Sequence, residues 1–146
     1  MTRSRSVRYF RYGERLLGLP SGQRRMTVEA WGLVASLGGG FVLLPPRAVA
    51  SAVARMLAAP PLPPPPPQMA AEVARCVRRA ARYAPRANCL SQAVAGWLML
   101  RRRSYGAELK LGARRTDAQL GAHAWLSVDG EVLLGGEEAA SHVPLG

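Results

Sequence analysis

The stretch RANCLSQAVAGWLMLRRR, Arg86 to Arg103, decides how the rest of the chain is read. Pro85 stands before it and rules out a helix running in from upstream. Asn88 is a good N-cap, so a helix is expected from Asn88 to about Arg103, with Cys89 in its first turn. Leu90, Val94, Trp97, Leu98 and Leu100 supply its apolar contacts, and Cys89, Gln92 and Ala93 fall near one another. A cysteine there is either a packing residue or a nucleophile. Unpaired N–H groups and the macrodipole at a helix start favour an anion, and it is the thiolate that attacks.

Downstream, AELKLGARR alternates as a strand, Thr116 to Gly121 reads as a loop, and AHAWLSV is a second strand. Asp129-Gly130 is a hairpin turn and EVLLG the returning strand. Along the second strand His123, Trp125 and Ser127 share one face, away from Ala124, Leu126 and Val128. His123 is therefore the candidate base for Cys89. His142, four residues from the C-terminus, is the weaker choice, because chain ends fray. An acid to orient the imidazole is sought by counting outward from the turn. Val128 then faces Glu131, and His123 falls opposite Gly136, next to Glu137. Glu137 is the geometric choice, with Asp129 (better explained by the turn) and Asp117 as alternatives.

Upstream, residues 1–22 are rich in Arg and aromatics and suggest a short helix ending near Gly18. Ser21 is a plausible N-cap for the next helix, with Met26, Ala30, Leu33, Val34 and Leu37 on one face until Gly38 to Gly40 break the pattern. AWGLVASLGGGFVLL, Ala30 to Leu44, carries no charge, but it falls short of the about 20 apolar residues that span a bilayer. It reads as a buried helix, and contact of the N-terminal helices with membrane or partner stays open. RAVASAVARMLAA, Arg47 to Ala59, is another helix. PPLPPPPP, Pro60 to Pro67, is an extended spacer, since proline lacks the donor and fixes φ. QMAAEVARCVRRAARY follows as an amphipathic helix ended by Pro85. The organisation expected is a helical part over 1–59, a linker over 60–67 and a second unit over 68–146.

The chain has 146 residues, 49% of them hydrophobic, which allows a core, and a formal net charge of +11 carried almost wholly by Arg. Such charge invites an acidic partner, yet no helix-turn-helix, RRM or zinc-finger signature is present, so nucleic acid is not expected. Cys76 and Cys89 show no metal-ligand spacing and make no disulfide framework. A reduced, cytoplasmic setting is expected, with no metal and no cofactor. The rival to an enzyme is a non-catalytic basic scaffold or binding protein in which Cys89 merely packs.

The order of a helix-opening Cys, a strand and AHAWLSVDGEVLLGG resembles the transglutaminase-like cysteine peptidases, more narrowly the leader peptidases of lasso-peptide biosynthesis. The matching stretches are Cys89 to Arg115 and Leu120 to Gly136, with LPSGQRRMTVEA, Leu19 to Ala30, similar to the entry of that family's helical part. The resemblance implies an α+β fold: a transglutaminase/papain-like core of one helix and a small antiparallel sheet, with a helical N-terminal part. It implies hydrolysis of one peptide bond in a ribosomally made precursor peptide. Partners implied are a separate leader-recognition protein and an ATP-dependent lasso cyclase. Cys89 matches the nucleophile and His123 the base. The family's third residue is an Asp, where the count here gives Glu137. The oxyanion donor implied is the Cys89 backbone N–H, with Gln92, which lies after the nucleophile, as a second group.

Overall fold

The computed structural model describes residues 11–116, 119–135 and 143–144. Among these described residues five helices come first: α1 (11–17), α2 (Ser21–Leu43), α3 (Pro46–Leu57), α4 (Pro67–Ala81) and α5 (Cys89–Arg101). Four strands follow: β1 (Glu108–Thr116), β2 (Gln119–Val128), β3 (Glu131–Leu134) and β4 (Val143–Pro144). They form one antiparallel sheet in the order β3-β2-β1-β4. The α+β architecture expected from the sequence is the one observed.

Prolines set the helix boundaries. Pro46 and Pro67 occupy the first turns of α3 and α4, where the missing N–H costs nothing. Pro20 precedes α2, so Ser21 is its first helical residue rather than its cap. Pro45-Pro46 also bars α2 from continuing, and Leu44 turns extended.

Gly38 to Gly40 do not break α2, contrary to expectation. The helix runs through them to Leu43. Each glycine costs only about 1 kcal/mol in a helix, which packing can offset. Gly38 is also required: a Cβ there would lie 2.5 Å from the Arg86 carbonyl oxygen and 3.3 Å from that of Pro85. Helix α2 thus rests against the turn that leads into α5.

Met26, Ala30 and Val34 of α2 share one buried cluster with Val73 and Val77 of α4, Val94, Met99 and Leu100 of α5, and Leu109, Leu126 and Leu134 of the sheet. Gly96 marks the closest approach of α5 to the sheet, for a Cβ there would meet Leu134 Cδ1 at 2.7 Å and Leu126 Cδ2 at 2.9 Å. The reading of Ala30 to Leu44 as buried holds for one stripe only. Trp31, Val42, Leu43 and Leu44 are exposed, and α2 is long and apolar enough to cross a membrane by length and composition.

The polyproline stretch is extended but not a loose tether. Its carbonyls have no internal partners, as in any polyproline helix, and two find them on the far side: Gly106 N–H donates to Pro63 O (2.8 Å) and Arg101 Nη1 to Pro60 O (2.9 Å). The expected loop over Thr116 to Gly121 is tighter than read, since β1 and β2 pair out to Thr116 and Gln119.

Candidate active site

Asn88 caps α5 with a reciprocal pair. Its side chain accepts from Ser91 N–H at 2.8 Å, and Ser91 Oγ accepts from Asn88 N–H at 2.9 Å. Cys89 is consequently the first helical residue, as expected from the sequence. The Gln92 N–H is committed to Asn88 O at 3.1 Å. The amides of Cys89 and Leu90 carry no hydrogen bond among the described residues, and an orphan pair at a helix start is a ready anion site. Sequence reading named the first and missed the second, which the capping pattern alone could have supplied.

Cys89 and His123, distant in the chain, line one cavity of about 540 Å³. Cys89 is half-buried, whereas Cys76 is buried in the core (2% exposed), and both are free thiols. Gln92 is not among the cavity's lining residues.

His123 is buried, with its ring 6.0 Å from that of Trp125 at 21°, so the two share a face as the alternation requires. Its Nε2 lies 3.0 Å from Gly135 O. A carbonyl only accepts, so Nε2 bears the hydrogen, and in the neutral ring Nδ1 is the basic nitrogen. Gly135 has φ +81°, and a Cβ on it would come within 2.8 Å of Ala124 O and 3.1 Å of His123 Nε2. A backbone carbonyl, invisible to any search for acidic side chains, thus orients the imidazole.

The count that pointed to Glu137 assumed a regular ladder. Val128 does face Glu131 and Ser127 faces Val132, but a bulge follows, and Leu126 faces Leu134 rather than Leu133. At Leu126 the regular count that set His123 opposite Gly136 is therefore already one residue short. Glu137, Asp117 and His142 lie outside the described residues. Asp129 sits in the exposed turn at φ 49°, beyond the end of β2 and six residues from His123, roughly 20 Å away at the usual strand rise. It lines a separate crevice of about 440 Å³, beside Trp97 and the polyproline segment, that includes neither Cys89 nor His123. Among the described residues no three His, Cys, Asp or Glu side chains are grouped to hold a metal.

Several arginines of α4 and the end of α5 make contacts within the molecule, although Arg78 and Arg102 remain exposed. Arg103 Nη2 and Arg102 Nη1 bind Glu29 at 2.8 and 3.2 Å, tying α2 to the end of α5. Burial pushes the Glu29 carboxyl up, but hydrogen bonds and charge from Arg103, then Arg102, outweigh it and hold the group below the ordinary carboxylate range. Arg78 donates to Leu133 O at 2.8 Å, Arg79 to Thr27 Oγ1 at 3.4 Å, and Arg101 lies 4.9 Å over the Trp97 ring.

A cysteine opening the helix that packs on an antiparallel sheet, with a strand histidine on the same cavity, defines the class of papain- and transglutaminase-like folds. The family profile described as the Transglutaminase-like superfamily matches residues 41–145. The chain belongs to that superfamily, which includes cysteine peptidases. No curated protein and no solved structure matches.

Proposed function

We propose that the protein is a cysteine peptidase that removes the leader from a ribosomally synthesised precursor peptide of the lasso class. The observation that carries the chemistry is the sharing of one cavity by Cys89, at the first position of α5, and His123, held by the Gly135 carbonyl. The choice of lasso leader rests on the resemblance of Cys89 to Arg115 and Leu120 to Gly136.

In this mechanism the Cys89 thiolate attacks the carbonyl carbon of the leader–core bond. The N–H groups of Cys89 and Leu90 stabilise the oxyanion. The protonated His123 gives its proton to the departing amine of the core, the C–N bond breaks, and the leader remains as a thioester on Cys89. His123 then takes a proton from water, hydroxide adds to the thioester, and collapse releases the leader carboxylate and the sulfur. An acidic side chain, Glu137 by the sequence reading, adds to the hold on the ring. The partners this reading calls for are a separate leader-recognition protein and an ATP-dependent cyclase, in a reducing cytoplasm that keeps Cys89 a thiol.

The test is to incubate the protein and a leader-recognition protein with precursor and follow masses of leader and core. Wild type should release the leader and Cys89→Ala should not. Release by the variant at the wild-type rate would overturn the proposal.

A further inference from the structure

Resting on the peptidase reading, we infer that helix α3 builds an apolar subsite at the nucleophile, so that the substrate carries uncharged, aliphatic or aromatic side chains beside the scissile amide. Pro46, Val49, Ala50, Val53, Ala54 and Leu57 all line the cavity that holds Cys89 and His123. Their spacing of three and four residues is that of a single helix face. Arg47 and Arg55 fall outside this stripe and do not line the cavity.

The opposite wall is equally apolar, with Leu90 next to the nucleophile and Leu111 and Ala124 on the sheet. Among the described residues the lining includes no carboxylate, ammonium or guanidinium. A charged substrate side chain entering it would lose its hydration with no counter-ion to replace it, whereas an apolar one gains by leaving water. Leu44 and Leu57, both more than half exposed, stand on the same lining. A volume of about 540 Å³ exceeds any one side chain, so the recognised segment is more than a single residue.

The experiment compares alkylation of Cys89 in the full chain by iodoacetamide and by N-butyl iodoacetamide, read by mass spectrometry, each rate divided by that of free cysteine. Cys76, buried in the core, is followed as an internal control. Full burial of one methylene is worth about fourfold in rate, so a partly buried butyl group should favour Cys89 on the order of tenfold. Ala50→Asp and Ala54→Asp, at solvent-exposed positions of α3, should abolish that preference, read as the ratio of the two rates within each variant so that any change in thiolate content cancels. Ala54→Leu should keep the preference. Rapid labelling by iodoacetamide with no gain from the butyl group would overturn the subsite and leave the peptidase reading standing. Cys89 unreactive toward both reagents would overturn the nucleophile and the subsite with it.

Discussion

The three consecutive glycines of α2 give a prediction in which helix propensity is held constant and only the surroundings differ. Gly→Ala inside a helix gains about 1 kcal/mol from propensity and unfolded-chain entropy. At Gly39 and Gly40 an added Cβ meets nothing within 4 Å, so each substitution should raise stability by nearly that amount. At Gly38 the Cβ would sit 2.5 Å from Arg86 O and 3.0 Å from its carbonyl carbon. Backbone on both sides must separate by most of an ångström, and overpacking of this kind costs about 1–3 kcal/mol. Gly38→Ala should therefore be neutral at best, and about 1–3 kcal/mol less stable than Gly39→Ala. The segment it displaces, Pro85 to Arg86, leads directly to Asn88 and Cys89, so cleavage should slow even where the fold survives. Urea unfolding midpoints of the three variants, with initial rates of leader release, measure both effects. Gly38→Ala as stabilising and as active as Gly39→Ala would refute the close contact between α2 and the entry to α5.

Three further outcomes are expected. Asn88→Ala removes the acceptor for Ser91 N–H and should cost about 1 kcal/mol in urea unfolding, with slower alkylation of Cys89 as the helix start loosens. Gly135→Ala places a methyl on a residue at φ +81° and against Ala124 O, turning the His123 ring; kcat for leader release should fall on the order of 10- to 100-fold with KM little changed. The Glu29 carboxyl is held below its ordinary range, so its contribution is complete at neutral pH and lost as acid protonates it below about pH 4.3. Thermal melts on descending from neutral to acidic pH should show wild type losing more stability than Glu29→Gln, by on the order of 1 kcal/mol.

What the sequence disclosed and what it withheld divide along a physical line. Asn88, Cys89 and the strands of the hairpin were legible because capping chemistry and period-two alternation are local. The continuation of α2 was not, because a glycine run weakens a helix by an amount that only tertiary contact, here Gly38 on Arg86, decides. The hairpin turn was read correctly from Asp129-Gly130, yet the bulge past Ser127, which no local pattern announces, shifts by one residue the count that set His123 opposite Gly136. Gly135 was out of reach altogether, since its part is played by a carbonyl that every residue possesses. Nor did the apolar stripe of α3 announce itself as a wall of the site, for the same stripe would serve a core.

The charge of +11 and the apolar cavity belong to one account. Arg78, Arg79, Arg101, Arg102 and Arg103 hydrogen-bond to Leu133 O, Thr27 Oγ1, Pro60 O and Glu29, and so fasten β3, α2 and the polyproline strap to α4 and α5. Guanidinium suits that task, because its planar fork reaches several acceptors while its stem lies on apolar surface. With those cations tied elsewhere, and none lining the cavity among the described residues, an anion at Cys89 has the helix-start amides and His123 to rely on. Those dipoles are fixed by the Asn88–Ser91 cap before substrate arrives, and a low-dielectric wall strengthens what they offer. Stabilisation at the sulfur is therefore built from backbone geometry, and the substitutions that disturb it most are those that move the backbone: Gly38, Asn88 and Gly135.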